Sequence, residues 1–249
     1  MGINRLNSLL NRYTTKRRVH LSQLKGKTIA IDLSIFFYKF IRSKNNTDNN
    51  YIDYFEKQIN QLVRYDVTPI YIFDGKPGPE KKNLLAERRQ TREKCKQKIK
   101  DNANHVQNKI LEKKIINFKK RDKFRLIELF NKRTIEYICG EGEADEQCVK
   151  MYRERTIHGV FTEDNDILLG KVKIYKNLCE FKDVVYEYCI FDILRQLQIS
   201  YDNFISICIL AGTSYSPKWC DIFDAFDLCK FGKLPNIPDA LKEMYIRKI

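Results

Sequence analysis

Three apolar, strand-like runs of this chain each end in carboxylates. Ile29-Ala30-Ile31 leads into Asp32, Ile70-Tyr71-Ile72-Phe73 leads into Asp74, and Val160-Phe161-Thr162 leads into Glu163, Asp164 and Asp166. A further pair, Glu141 and Glu143, lies between the second and third runs. In an open parallel α/β sheet, residues just past the C-terminal strand ends converge on one crevice. Asp32, Asp74, Glu141, Glu143, Asp164 and Asp166 gathered there would repel one another unless cations held them. An all-oxygen donor set suits Mg²⁺ or Mn²⁺. Two such ions about 3.5–4 Å apart can activate an attacking water and stabilise a leaving oxygen. The chemistry this pattern points to is metal-dependent phosphoryl transfer. Each acid also has a plainer use, because an Asp after a strand often caps the next helix and Asp164 and Asp166 suit a turn. The case rests on the set. Glu141 and Glu143 cannot share one face of a regular helix. Both reach the site if Glu141 lies in the Gly140–Gly142 loop and Glu143 opens the helix, where the dipole favours a carboxylate.

The elements that must position these acids alternate in type. Gly2 to Leu10 reads as a short helix with Ile3, Leu6, Leu9 and Leu10 on one face. Strands are expected at 28–33 and 68–73, with helices through Phe36–Ile41 and over 54–65 between them, and a polar, Asn-rich loop at 44–50. Pro77-Gly78-Pro79 marks a sharp turn. After residue 124 the pattern gives a helix near Ile127–Phe130, a strand at 134–139, a helix over 143–153 and short strands at 159–162, 173–175 and 184–188. Helices are expected over 191–197 and 204–210, and 217–249 reads as a small helical cap.

Residues 76–125 differ in character. They hold 18 Lys or Arg against 6 Asp or Glu, and their few aliphatic residues cannot bury both faces of a helix. They read as helices standing off the core with a solvated or phosphate-facing surface; one-signed charge of this density favours the second. The whole chain of 249 residues carries a net charge of +14, which points to a polyanionic partner, most simply nucleic acid. Its eight cysteines form no Cys-x-x-Cys pair and histidine is scarce, so structural zinc is disfavoured and the thiols read as small buried residues in a reducing compartment. No run approaches 18 apolar residues, which disfavours a membrane span and makes an intracellular setting the expectation.

Taken in order, Met1-Gly2-Ile3, Ile29–Ser34, Tyr71-Ile72-Phe73-Asp74-Gly75-Lys76-Pro77, Gly140–Asp145, Thr162–Asp166 and Ile209–Tyr215 resemble the flap endonuclease family of structure-specific 5′-nucleases. The resemblance runs from Met1 to about Tyr215. It implies a twisted, mostly parallel α/β sheet flanked by helices, with a basic helical arch and a small C-terminal helical region. The nuclease core would comprise 1–75 and 126–215, the arch 76–125 and a reduced helical region 216–249. It further implies two Mg²⁺, with Mn²⁺ as an alternative, held by the six acids named above. Lys81 and Arg88 fall where the family contacts the scissile phosphate, and seven residues apart they share a helix face. Gly2, Tyr38, Lys76, Lys81, Lys82, Arg88, Arg89 and Arg92 are the implied nucleic-acid contacts, Tyr38 as a base-stacking ring or, on its sequence context alone, a core aromatic.

Two departures stand out. Ser214 occupies the family's seventh acidic position. Pro217-Lys218-Trp219-Cys220-Asp221 lacks the glycines of the turn with which the family binds duplex DNA. The implied activity is hydrolysis of DNA bearing a 5′ flap, branch or single-strand end, in nucleus, cytoplasm or a viral replication site, with no sliding-clamp motif evident. A catalytically impaired DNA-binding protein, motivated by Ser214, and an RNA-directed exonuclease are the competing readings.

Overall fold

The computed structural model describes residues 2–43, 50–76, 78, 82–101, 105–179, 182–213 and 216–247. Its centre is a seven-stranded sheet built from β1 (Arg17–His20), β2 (Thr28–Asp32), β3 (Thr68–Phe73), β4 (Glu136–Cys139), β5 (Val160–Phe161), β6 (Ile174–Lys176) and β7 (Val184–Tyr188). The strand order is β1-β7-β6-β5-β2-β3-β4. The five strands from β6 to β4 run parallel, and β7 is antiparallel to both β6 and β1. The chain winds from β2 to β3 and β4 on one side and to β5 and β6 on the other. The order therefore reverses between β2 and β5, the place where such sheets open a crevice at their C-terminal rim.

The alternation of side chains along each strand explains the two-sided core. Ile29, Ile31, Tyr71 and Phe73 face one apolar layer, while Ala30, Ile70 and Ile72 face the other. The first layer is closed by α2 (Leu33–Arg42), α3 (Tyr51–Arg64) and α6 (Lys120–Lys132), whose Phe37, Phe55, Leu62, Leu126 and Phe130 are buried. The second is closed by α1 (Leu6–Tyr13), α7 (Ala144–Arg153), α8 (Ile190–Leu197), α9 (Tyr201–Ala211) and α10 (Ile222–Lys230), with α11 (Asp239–Arg247) against α9. Each large side chain so buried contributes about 1.5–3 kcal/mol. This double layer holds the rim of the sheet still.

The expected strands and helices are found with shifted ends, and the tail is helical. One strand went unforeseen: β1 is an edge of the sheet in which only Val19 is buried, so Arg17-Arg18-Val19-His20 carries no apolar run. Within the basic segment, α4 (Lys82–Asp101) and α5 (His105–Ile115) pack on each other. Cys95 is the one residue of these two helices that is buried among the described side chains. All eight cysteines are free thiols, with Cys95, Cys148 and Cys208 buried. Among the described residues no helix is long and apolar enough to cross a membrane.

Candidate active site

The C-terminal ends of β5, β2, β3 and β4 lie side by side, so their following residues share one rim. Asp32 ends β2 and caps α2: its Oδ1 accepts from Ile35 N–H at 3.2 Å, while Thr162 Oγ1 donates to its Oδ2 at 3.4 Å. Asp74 follows β3. Its Oδ1 accepts from Ala144 N–H at 3.0 Å and its Oδ2 from the Ser34 hydroxyl, tying the first turns of α7 and α2 together. Beyond β5, Asp164 Oδ1 accepts from Asp166 N–H at 3.1 Å, and Asp166 Oδ1 accepts from Ile3 N–H at 2.7 Å.

The loops after β3 and β4 cross backbone to backbone. Gly75 N–H donates to Gly142 O at 2.6 Å, Lys76 N–H to Glu141 O at 3.1 Å and Gly140 N–H to Phe73 O at 3.0 Å. A Cβ on Gly75 would stand 2.1 Å from Gly140 O, so only glycine lets the loops approach this closely. A similar approach occurs at Gly2. Its φ is +122°, and a Cβ there would meet Asp164 Oδ1 and Asp166 Oδ1, each at 3.0 Å. The N-terminal segment thus lies directly against the acids after β5.

Glu141 and Glu143 stand where the sequence placed them, in the loop and at the helix start, and Asp145 joins the acids near the rim. Glu143 is the N-cap of α7, and the helix proper begins at Ala144. Glu141 is exposed in the loop, with its carbonyl engaged by Lys76. Asp145, in the first turn of α7, feels the charges of Asp32, Asp164, Asp166 and Asp74. Burial first, and then those neighbours, push its carboxyl well above the usual range. The motif Glu141-Gly142-Glu143-Ala144-Asp145 offers two equally spaced acid pairs, Glu141 with Glu143 and Glu143 with Asp145.

Other acids respond alike. Asp32 is pushed up to about 7 by burial, then by Asp74 and Asp164. Asp166 is also pushed up to about 7, by burial and then by Asp164, against the relief of the Ile3 N–H. Behind them, Lys176 is 5% exposed and its Nζ donates to Glu163 O at 2.8 Å. Burial lowers this ammonium to about 8 while Glu163 and Asp164 pull it back up. Glu163 itself pairs with Lys39 and accepts from Asn177 N–H.

Whether these residues suit a cation can be asked of the donors themselves. Among the described residues no three acids, cysteines or histidines stand close enough together to enclose an ion as they are. Yet the donors are all hard oxygens, burial and neighbouring charge hold Asp32, Asp145 and Asp166 above the usual carboxylate range, and Asp145 Oδ1 is buried without a hydrogen-bond partner. A buried carboxylate oxygen left unpaired is costly, and a divalent cation is the partner this donor chemistry fits. Asp32, Asp74, Glu143, Asp145, Asp164 and Asp166 would supply the oxygens.

Basic and aromatic groups border the acids. Arg88 on α4 is half-buried; burial lowers its guanidinium, the Tyr38 hydroxyl and Glu143 pull it up, and Arg92 and Arg42 press it down. Arg42, absent from the sequence-based expectation, therefore joins Arg88 and Arg92 from a different helix, and its guanidinium lies 5.5 Å from the Tyr38 ring centre. The Tyr38 hydroxyl donates to Asn117 Oδ1 at 3.0 Å and accepts from Phe118 N–H at 3.2 Å. Tyr38 is thus half-buried, edge-on to Phe37 at 5.7 Å between centroids, and neither a core ring nor a fully open one. Arg89 and Lys76 are exposed. Lys82 begins α4. Lys81 and Ser214, a phosphate contact and a seventh ligand in the sequence-based expectation, lie outside the described residues.

An open parallel sheet with charge-coupled carboxylates at its switch point and a basic helical pair beside them defines a metal-dependent phosphodiesterase. Residues 1–95 match the XPG N-terminal domain and residues 134–214 the XPG I-region, together more than half of the chain. The chain belongs to the flap endonuclease family. It is similar to flap endonuclease 1 of Entamoeba histolytica, at 28% identity over 98% of this chain and 71% of that protein. It is 30% identical to flap endonuclease 1 of Methanococcus aeolicus over 81% of this chain and 66% of that one. Among solved structures it is similar to the catalytic core of Rad2 in complex with DNA substrate (TM-score 0.72, 26% identity, 93% of this chain and 69% of that one). It also shares the fold of flap endonuclease-1 from Methanococcus jannaschii (TM-score 0.68, 24% identity, 95% and 83% covered).

Proposed function

We propose that this nuclease cuts DNA at a 5′ flap, branch or single-strand end, using two Mg²⁺ held by Asp32, Asp74, Glu143, Asp145, Asp164 and Asp166. The observation that carries the site is Asp145, whose Oδ1 is buried without a hydrogen-bond partner within reach of the charges of Asp32, Asp74, Asp164 and Asp166. Bound divalent cations would supply an activated water and charge neutralisation at the scissile phosphate. The protein's own part is positional. Asp74 bridges α2 and α7, the crossing at Gly75 fixes the loop that carries Glu143, and Ile3 N–H aims Asp166. Arg88, with Arg42 and Arg92 near it, faces the acid rim from outside, where guanidinium groups can hold phosphate oxygens in a fork and offset charge that develops on them. The basic 76–125 segment extends that surface along a single strand, and such binding weakens steeply with salt. Nothing observed favours the non-catalytic or RNA-directed readings.

The test compares Asp145→Asn with Glu141→Gln on a 5′-labelled flap substrate in Mg²⁺. Asp145→Asn is expected to lower kcat by at least about a hundredfold with substrate binding kept, and Glu141→Gln to stay within about threefold. Full activity of Asp145→Asn, or an equal loss in Glu141→Gln, overturns the assignment.

A further inference from the structure

Helix α2 serves the site at both ends. Its first turn is bound to the acids: Asp32 caps it, and the Ser34 hydroxyl holds Asp74. Its ten residues rise about 15 Å along the axis and carry Tyr38 and Arg42 towards the basic helices. Arg88 and Arg92 belong to α4, yet Arg88 lies within Coulomb reach of both the Tyr38 hydroxyl and Arg42. The guanidinium groups offered to phosphate therefore come from two elements. Their spacing is only as exact as the hold of α2 on the basic pair.

That hold is made by the last turn of α5 and the chain that leaves it. Lys113 Nζ donates to Ser43 O at 2.6 Å. Ser43 is the C-cap of α2, directly after Arg42, and an ammonium suits a carbonyl at the negative end of a helix. Four residues beyond Lys113, the Tyr38 hydroxyl is held twice, donating to Asn117 Oδ1 at 3.0 Å and accepting from Phe118 N–H at 3.2 Å. The Phe118 ring packs on Phe37, with 4.8 Å between centroids, and α6 then carries the chain back into the core. The side-chain contacts of Lys113 and Asn117 are open to solvent, and exposed contacts of this kind add little to stability. The apolar contact of Phe37 with Phe118 joins the two segments by itself. What the polar contacts add is direction, because they fix the Tyr38 ring and the end of α2 in one place.

We propose that Lys113 and Asn117 are positioning residues for strand cleavage, holding Arg42 and Tyr38 in register with Arg88. The proposal rests on the nuclease reading given above and adds to it two residues whose side chains engage α2 rather than nucleic acid. Lys113 could instead be one more phosphate contact in a basic segment, in which case its loss weakens binding. The commitment of its ammonium to Ser43 O favours the positional role. Groups that must meet a reacting phosphate in one geometry lose rate rather than affinity when their support shifts.

The test measures kcat and KM of the full chain on a 5′-labelled flap substrate in Mg²⁺, with thermal melts of every variant. Lys113→Met and Asn117→Ala are each expected to lower kcat about tenfold with KM within about threefold, and to melt within about 2 °C of the wild type. Lys113→Arg keeps the donor and Asn117→Asp the acceptor, so both should recover kcat to within about twofold of the wild type. Tyr38→Phe keeps the ring and removes the hydroxyl, and adding Asn117→Ala to it should cost no further rate, because the two changes break one shared contact. Lys113→Met and Asn117→Ala variants that cleave as fast as the wild type overturn the proposal and leave the nuclease reading intact. So does a loss confined to KM, which marks direct phosphate contacts, or a loss that Lys113→Arg and Asn117→Asp repeat in full. A wild-type protein that binds the flap and cuts it in neither Mg²⁺ nor Mn²⁺ overturns the nuclease reading and this proposal with it. Should Lys113→Met or Asn117→Ala melt far below the wild type, the conservative variants and Tyr38→Phe decide the matter by the same criteria.

Discussion

Asp32 allows the acid cluster to be tested without any substrate. Its side chain is buried, and its carboxyl is pushed from the ordinary 3.8 up to about 7 by burial and by Asp74 and Asp164. A folded-state value above the unfolded one means that the fold retains a proton the unfolded chain releases. Stability is then intact below about pH 4, declines as pH rises from 4 to 7, and stays reduced above that. The whole rise corresponds to about 4 kcal/mol. Neighbouring carboxyls titrate together and share the penalty, so about half, roughly 2 kcal/mol, is assigned to Asp32 alone. Asp32→Asn keeps the shape and the cap on Ile35 while removing the charge. In thermal melts with EDTA it should raise Tm by about 5 °C at pH 8 and leave it nearly unchanged at pH 4. Mg²⁺ should then raise the wild-type Tm at pH 8 by ligand linkage and raise the variant's less. A variant that melts at or below the wild type at pH 8, or that differs from it equally at both pH values, would refute the claim that repulsion among these acids is stored in the metal-free fold.

Gly75→Ala forces a Cβ to 2.1 Å from Gly140 O. The crossed loops must part, at a cost of about 3 kcal/mol in urea unfolding, and flap cleavage should fall to background because Asp74 and Glu143 separate. Lys176→Met leaves Glu163 O without its buried donor; the expected loss is about 1–3 kcal/mol in the same assay, and a variant as stable as the wild type would deny Lys176 its anchoring role.

What could be read from sequence followed from how far each element announces itself locally. Strands β2 and β3 are apolar on both faces because helices cover both, so Ile29-Ala30-Ile31 and Ile70-Tyr71-Ile72-Phe73 stand out as runs, and the acids that end them are found at once. Strand β1 has one buried residue, Val19, and an edge strand of this kind has no periodicity to detect. Arg42 lies on the helix that Asp32 caps, yet it meets Arg88 only because α4 returns to the rim, a contact between elements that no spacing encodes. Asp145 lies within the motif Gly140–Asp145, yet its spacing does not mark it as an acid that burial brings under the charges of Asp32, Asp74, Asp164 and Asp166. Glu141 with Glu143 and Glu143 with Asp145 have identical spacing, and what sets Asp145 apart is the packing of α7 against β2 and β3, a contact between elements.

The side chains that cap and turn are the same ones proposed to hold the metal. Asp32 Oδ1 caps α2, and that bond turns Oδ2 towards Thr162 and the cluster. Asp74 holds Ala144 N–H at the start of α7, where the N-cap residue Glu143 makes no side-chain cap bond. Asp166 is aimed by Ile3 N–H and Asp164 by Asp166 N–H. In each case one backbone N–H fixes a carboxylate that its neighbours repel. Four such hydrogen bonds, each worth about 1.5–3 kcal/mol to a charged acceptor, are comparable in size to the combined burial and repulsion that raise Asp32 and Asp166. The fold can therefore keep its acids at one rim before any cation arrives, and a cation that binds there must still draw their oxygens together, since among the described residues no three acids enclose an ion as they stand.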